Sequence, residues 1–178
     1  QPFDFAGRTG KVVFDVSNNT QGSHGAWPEF WVTDQPVPAP FTHEATWLSV
    51  PRNGLGIRFA GFTDASGTQT GCPEGSPAYL GVDSAIVVRN YVPNDLFIVY
   101  GDDCVKASTG PGDLNHYEID ISQAQIDVYG TDAGTVTPLK HLATIANANL
   151  TLTRGLIWLE DVHYNGDKFG NQRVHTFT

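Results

Sequence analysis

Residues 24–34 read HGAWPEFWVTD: two tryptophans four apart, with Pro28 and Glu29 between them, after a glycine-containing loop and before a turn. As a strand, this stretch has a two-residue period. That sets Trp27, Glu29 and Trp31 on one face and Phe30 and Val32 on the other. The same period recurs to either side. Residues 11–16 (KVVFDV) align Val12, Phe14 and Val16. Residues 116–122 (HYEIDIS) turn Tyr117, Ile119 and Ile121 inward, with His116, Glu118, Asp120 and Ser122 outward. Further strands are predicted at 45–50, 54–62, 84–92, 95–101, 125–130, 137–145, 154–165 and 172–178. Asn53-Gly54 and Pro93-Asn94 signal turns. Residues 34–41 (DQPVPAPF) are a proline-rich connector, unfit for a central strand. Residues 63–83 and 102–114 read as long loops. Helical periodicity is weak, and residues 139–150 (LKHLATIANANL) offer at most a turn or two. About ten strands buried on one face imply two packed antiparallel sheets, an all-β sandwich or jelly roll.

Composition agrees. A chain of 178 residues fits one domain, expected over 1–178. Only 16% of residues are charged, while 19 Gly and 11 Pro supply turns. The formal net charge of -9 repels phosphate backbones and excludes nucleic acid as a partner. No apolar run approaches the ~18 residues of a membrane span, so no membrane insertion is expected. The sequence starts at Gln1 and contains no Met, as in a chain trimmed of a leader. Cys72 and Cys104 are the only cysteines and form no CxxC, which argues against zinc. An even count in an acidic chain suggests one disulfide and a secreted, extracellular location; two unrelated buried thiols are the alternative.

The Trp-Pro strand resembles that of the concanavalin A-like lectin and glucanase superfamily, especially the laminarinase-type glycoside hydrolases. Residues 114–134 (LNHYEIDISQAQIDVYGTDAG) are similar to a later strand pair of that superfamily. The resemblance implies a jelly roll of two curved sheets whose concave face holds glycans. It also implies that QPFDFAGRTGKVVFDV begins in the middle of such a fold, so terminal edge strands are expected to be lacking.

Laminarinase-type hydrolases carry a Glu-x-Asp-x-Glu or Glu-x-Asp-x-x-Glu strand soon after the Trp-Pro strand. Retention of configuration needs two carboxyl groups about 5 Å apart. Here residues 42–51 (THEATWLSVP) take that place in the sequence. Glu44 stands at the first carboxylate, but Thr46 replaces the Asp and Leu48 or Ser49 replaces the acid/base. The resemblance thus implies the scaffold without the catalytic set. Glu44 and Glu29 stay as candidates for a displaced carboxylate in a glycoside hydrolase or polysaccharide lyase. Glu118-Ile119-Asp120 mimics the start of the motif, but Ser122 stands at the third position, and alternation predicts an ordinary solvated strand face.

Glycan sites pair flat aromatic faces with planar polar groups, because a pyranose has an apolar CH face and a rim of hydroxyls. The expected binding residues are Trp27, Glu29, Trp31, Arg58, His163, Asn165 and His175, collected on one surface if their strands are neighbours. Core packing competes for the tryptophans. Arg58, inside an apolar strand, needs a partner such as Glu29 or Asp161. Calcium is admitted by the superfamily, with Asp102, Asp103, Asp113 and Asp167 as candidate ligands in oxygen-rich loops; ordinary polar turns compete. Three readings stay open: a lectin-like carbohydrate-binding domain, an enzyme with a displaced acid, and a structural or adhesive domain that assembles through exposed strand edges.

Overall fold

The computed structural model describes residues 3–4, 8–18, 26–33, 54–60, 72, 79–88, 96–110, 112–146, 148, 154–163 and 172–177. These residues form strands and no helix. In chain order the strands are β1 (Phe3–Asp4), β2 (Gly10–Asn18), β3 (Ala26–Thr33), β4 (Gly54–Ala60), β5 (Tyr79–Val88) and β6 (Leu96–Val99). They continue as β7 (Cys104–Lys106), β8 (Asn115–Ile121), β9 (Gln125–Gly130), β10 (Lys140–Ala146), β11 (Arg154–His163) and β12 (Gln172–Phe177). A seven-stranded sheet runs β1-β11-β3-β4-β5-β6, with β7 also paired to β5. A five-stranded sheet runs β10-β9-β8-β2-β12. All pairings are antiparallel. The Trp-Pro strand β3 lies inside the larger sheet, between β11 and β4.

The predicted alternation is what packs the sheets together. On β8, Asn115, Tyr117, Ile119 and Ile121 are buried and the residues between them half-buried. On β2, Val12, Phe14 and Val16 turn inward. They meet Phe30 and Val32 of β3, Leu55, Ile57 and Phe59 of β4, and Val82, Ala85 and Val87 of β5 in one apolar core. Phe14 bridges the layers. Its ring stacks on Phe30 at 6.2 Å between centroids, and Phe59 and Tyr117 close around it at 5.9 and 5.3 Å.

The strand expected at 137–145 is β10, and the helical turn that competed with it does not form over Lys140–Ala146: Leu142, Ala143 and Ile145 pack in the core, although the bulge between His141 and Ala143 blurs their alternation. Two elements depart from the sequence reading. β7 falls inside an expected loop, and β5 starts at Tyr79 rather than at 84. The two are linked, since Tyr79, Leu80 and Gly81 pair with Lys106, Val105 and Cys104. A three-residue strand has too little pattern to read alone. The strand expected at 45–50 lies outside the described residues.

The Tyr117 hydroxyl is fully enclosed and makes no hydrogen bond among the described residues. Burial pushes the phenol far above its ordinary pKa, so it stays neutral. A polar group buried in this way costs free energy. Tyr117→Phe is therefore expected to raise stability by about 1 kcal/mol in urea unfolding; a loss of that size would mean that the hydroxyl has a partner.

Candidate functional site

The face of the seven-stranded sheet turned away from the core is where the resemblance locates glycans. β3 sets Glu29, Trp31 and Thr33 there. β4 pairs Arg58 with Glu29, Gly56 with Trp31 and Gly54 with Thr33. β5 follows with Ser84 opposite Arg58 and Ile86 opposite Gly56; a register shift at Arg58/Phe59 inserts Asp83. β4 is the described strand that follows the Trp-Pro strand and bonds to it. Its side chains on this face are Gly54, Gly56 and Arg58, with no carboxylate. Residues 42–51, Glu44 among them, lie outside the described residues.

The glycine at 56 has a specific task. A Cβ there would lie 2.6 Å from two carbons of the Trp31 ring. The indole therefore lies over the bare backbone of Gly56, and Trp31 is 1% exposed. It is packed as sheet filler, not offered as a platform for a ligand. Glu29 is likewise 0% exposed. Arg58 finds its partner in Asp83, with Nη1 3.3 Å from Oδ2; the two side chains are 11% and 3% exposed. Glu29, across the strand pair from Arg58, puts a second carboxylate beside this buried pair. Asp83 carried no sequence signal, because it enters through a bulge.

The expected surface is assembled only in part. Glu29, Trp31 and Arg58 share the face. His163 pairs with Ala26, a register position out of phase with Glu29 and Trp31. His175 lies on β12, in the other sheet, at a register shift. Trp27 opposes Val162 on β11, in phase with Trp31. Asn165 and Asp167 lie outside the described residues. Glu118 and Asp120 also lie in the five-stranded sheet, so they cannot act beside β3.

The disulfide expectation is corrected. Cys72 and Cys104 are buried thiols that are not joined in a disulfide. They do come together: the Cys72 thiol hydrogen-bonds that of Cys104 and lowers its pKa. Gly81 makes room for them, since a Cβ there would sit 3.0 Å from Cys104 Cβ and 3.1 Å from Cys72 Sγ. Among the described residues, no three His, Cys, Asp or Glu side chains converge on a metal position. Asp103 Oδ1 instead accepts from the Cys104 amide at 2.7 Å, and Asp113 Oδ2 from the Thr109 amide at 3.2 Å, as polar turns do. Asp102 is exposed.

The outer face of the five-stranded sheet carries a connected polar network that the sequence reading did not assemble. Lys11 binds Glu118 and lies 3.5 Å from Asp120 Oδ1. His116 Nδ1 is 2.7 Å from Asp15 Oδ1. The Lys11 hydrogen bond, opposed by burial and aided by His116, holds Glu118 below the usual carboxylate range. On β9, Asp127 Oδ1 accepts from Thr144 at 2.6 Å, and Oδ2 from Gln125 at 2.8 Å. Burial raises the Asp127 pKa, but these donors and His141 outweigh it, so the net shift is downward.

With this geometry in hand, three solved structures are informative. Lectin UEA-II complexed with galactose is 11% identical, with a TM-score of 0.58, covering 99% of this chain and 76% of its own. Lectin II from Ulex europaeus gives 11%, 0.57, 99% and 76%. A glycoside hydrolase family 16 endo-glucanase from Bacteroides ovatus gives 15%, 0.51, 98% and 67%. No protein-family model matches the sequence, and no curated protein matches it. The fold is thus a concanavalin A-like jelly roll, shared with lectins and glucanases.

Proposed function

We propose that the protein is a secreted, lectin-like carbohydrate-binding jelly roll with no catalytic acid pair of its own. One observation carries the second half of this reading. Beside the Trp-Pro strand, β4 offers Gly54, Gly56 and Arg58 on the face where laminarinase-type hydrolases alternate carboxylates. Glu29 and Asp83 flank Arg58 on the neighbouring strands but are buried beside its guanidinium. A general acid and a nucleophile must both reach one glycosidic bond, and an inverting pair must also admit water. Two enclosed carboxylates beside a cation meet neither condition. The first half rests on the fold, which UEA-II uses in a structure with galactose.

Two assays on one preparation test it. The protein should be retained on at least one insoluble polysaccharide, and incubation with β-glucans and galactans should release no reducing ends above a blank. Turnover that Glu29→Gln abolishes would restore the enzyme reading; no retention on any polysaccharide would remove the lectin one.

A further inference from the structure

A groove of about 670 Å³ opens at one end of the five-stranded sheet, its lining including Thr9, Lys11, Asp120, Ser122, Gln125 and Asp127. Its size suits one or two sugar rings, since small-ligand sites span about 300–1,000 Å³. Its chemistry is unusual for a plain strand face. Asp120 and Asp127 are direct partners across β8 and β9. Like charges placed so repel, at a distance of about 5 Å between Cβ atoms. Nearby donors offset that repulsion. Lys11 stands against Asp120, and Thr144, Gln125 and His141 stand against Asp127. Two facing acceptors match a ligand with two adjacent O–H donors.

The rest of the groove completes the match. The Lys11 ammonium has three N–H groups and carboxylate neighbours at two. The Gln125 amide is exposed at the turn into β9. Lys11 is the one cation among the lining residues, and the whole chain carries -9, so polyanions are disfavoured. Side-chain exposures of 50% for Lys11 and 45% for Asp120 leave both within reach of a ligand.

We propose that this groove, on the sheet opposite the Trp-Pro strand, binds a neutral glycan. Adjacent ring hydroxyls donate to Asp120 and Asp127, and Lys11 and Gln125 meet the acceptor oxygens. The assignment rests on the carbohydrate-binding reading above and gives it a location.

Native affinity gels cast with soluble β-glucan, galactan or alginate test it. Wild-type protein should be retarded by a neutral polymer. Asp120→Asn and Gln125→Ala, both away from the core, should each weaken that retardation at least tenfold, and Asp102→Asn, at an exposed residue that does not line the groove, should not. If both groove variants run as wild type, the groove is overturned while carbohydrate binding stands. No retardation by any polymer overturns both. Stronger retention by alginate than by the neutral polymers overturns the proposal as well, because it contradicts the charge of the groove.

Discussion

Trp31→Ala is expected to lower stability by about 3–5 kcal/mol, while the molecules that stay folded bind glycan as before. The indole is 1% exposed and lies over Gly56. Removing it opens a cavity that the stiff sheet beneath cannot fill, and the cost of such a cavity grows with its volume. Urea unfolding measures the first effect, and affinity gels on the folded fraction measure the second. A stable Trp31→Ala variant with lost retention would show that the ring contacts sugar, and the groove on the other sheet would no longer explain binding. The expectation separates two readings of one residue, because a platform tryptophan affects affinity and a packed one affects folding.

Arg58→Met should be of similar severity, about 3–5 kcal/mol. The guanidinium lies 3.3 Å from Asp83, and Glu29 is its cross-strand partner. Methionine matches the length of the stem and removes the charge, which leaves two enclosed carboxylates side by side. Breaking a buried ion pair costs more than never having built it, since the remaining charge has already lost its water. The combined variant Arg58→Met, Asp83→Asn, Glu29→Gln should therefore recover most of the loss. Arg58→Lys should recover only part of it, because an ammonium lacks the planar fork of donors. Chemical denaturation of the four proteins is the measurement; equal stabilities would mean that this cluster contributes nothing to the fold.

The layers of the jelly roll were legible because their strands follow strict alternation. Val12, Phe14 and Val16 on β2 and Tyr117, Ile119 and Ile121 on β8 point where a two-residue period puts them. The site was legible only where the same rule applied. It grouped Glu29 with Trp31, and it separated Arg58 from Ile57 and Phe59. It failed at register breaks. Asp83 enters beside Arg58 through a bulge, and Leu142 reaches the core through another. It also could not tell which sheet a strand joins, so His175 was grouped with residues of the other layer. Burial was the second blind spot. Nothing local distinguishes a tryptophan that waits for a sugar from one seated on a glycine, since Gly56 becomes informative only once β4 is known to lie beside β3.

The bulges have one more consequence. Among the described residues, β10 and β12 are the outermost strands of the five-stranded sheet, and each meets its inner neighbour through a shifted register, at His141/Ala143 and at Val174/Thr176. An irregular border strand presents its free amides and carbonyls out of step, so a strand from a second molecule finds no straight rail to dock along. Fibre-like growth through this layer is thereby discouraged. Adhesion between copies through this layer would have to use side chains on its face, not main-chain hydrogen bonds at its margins.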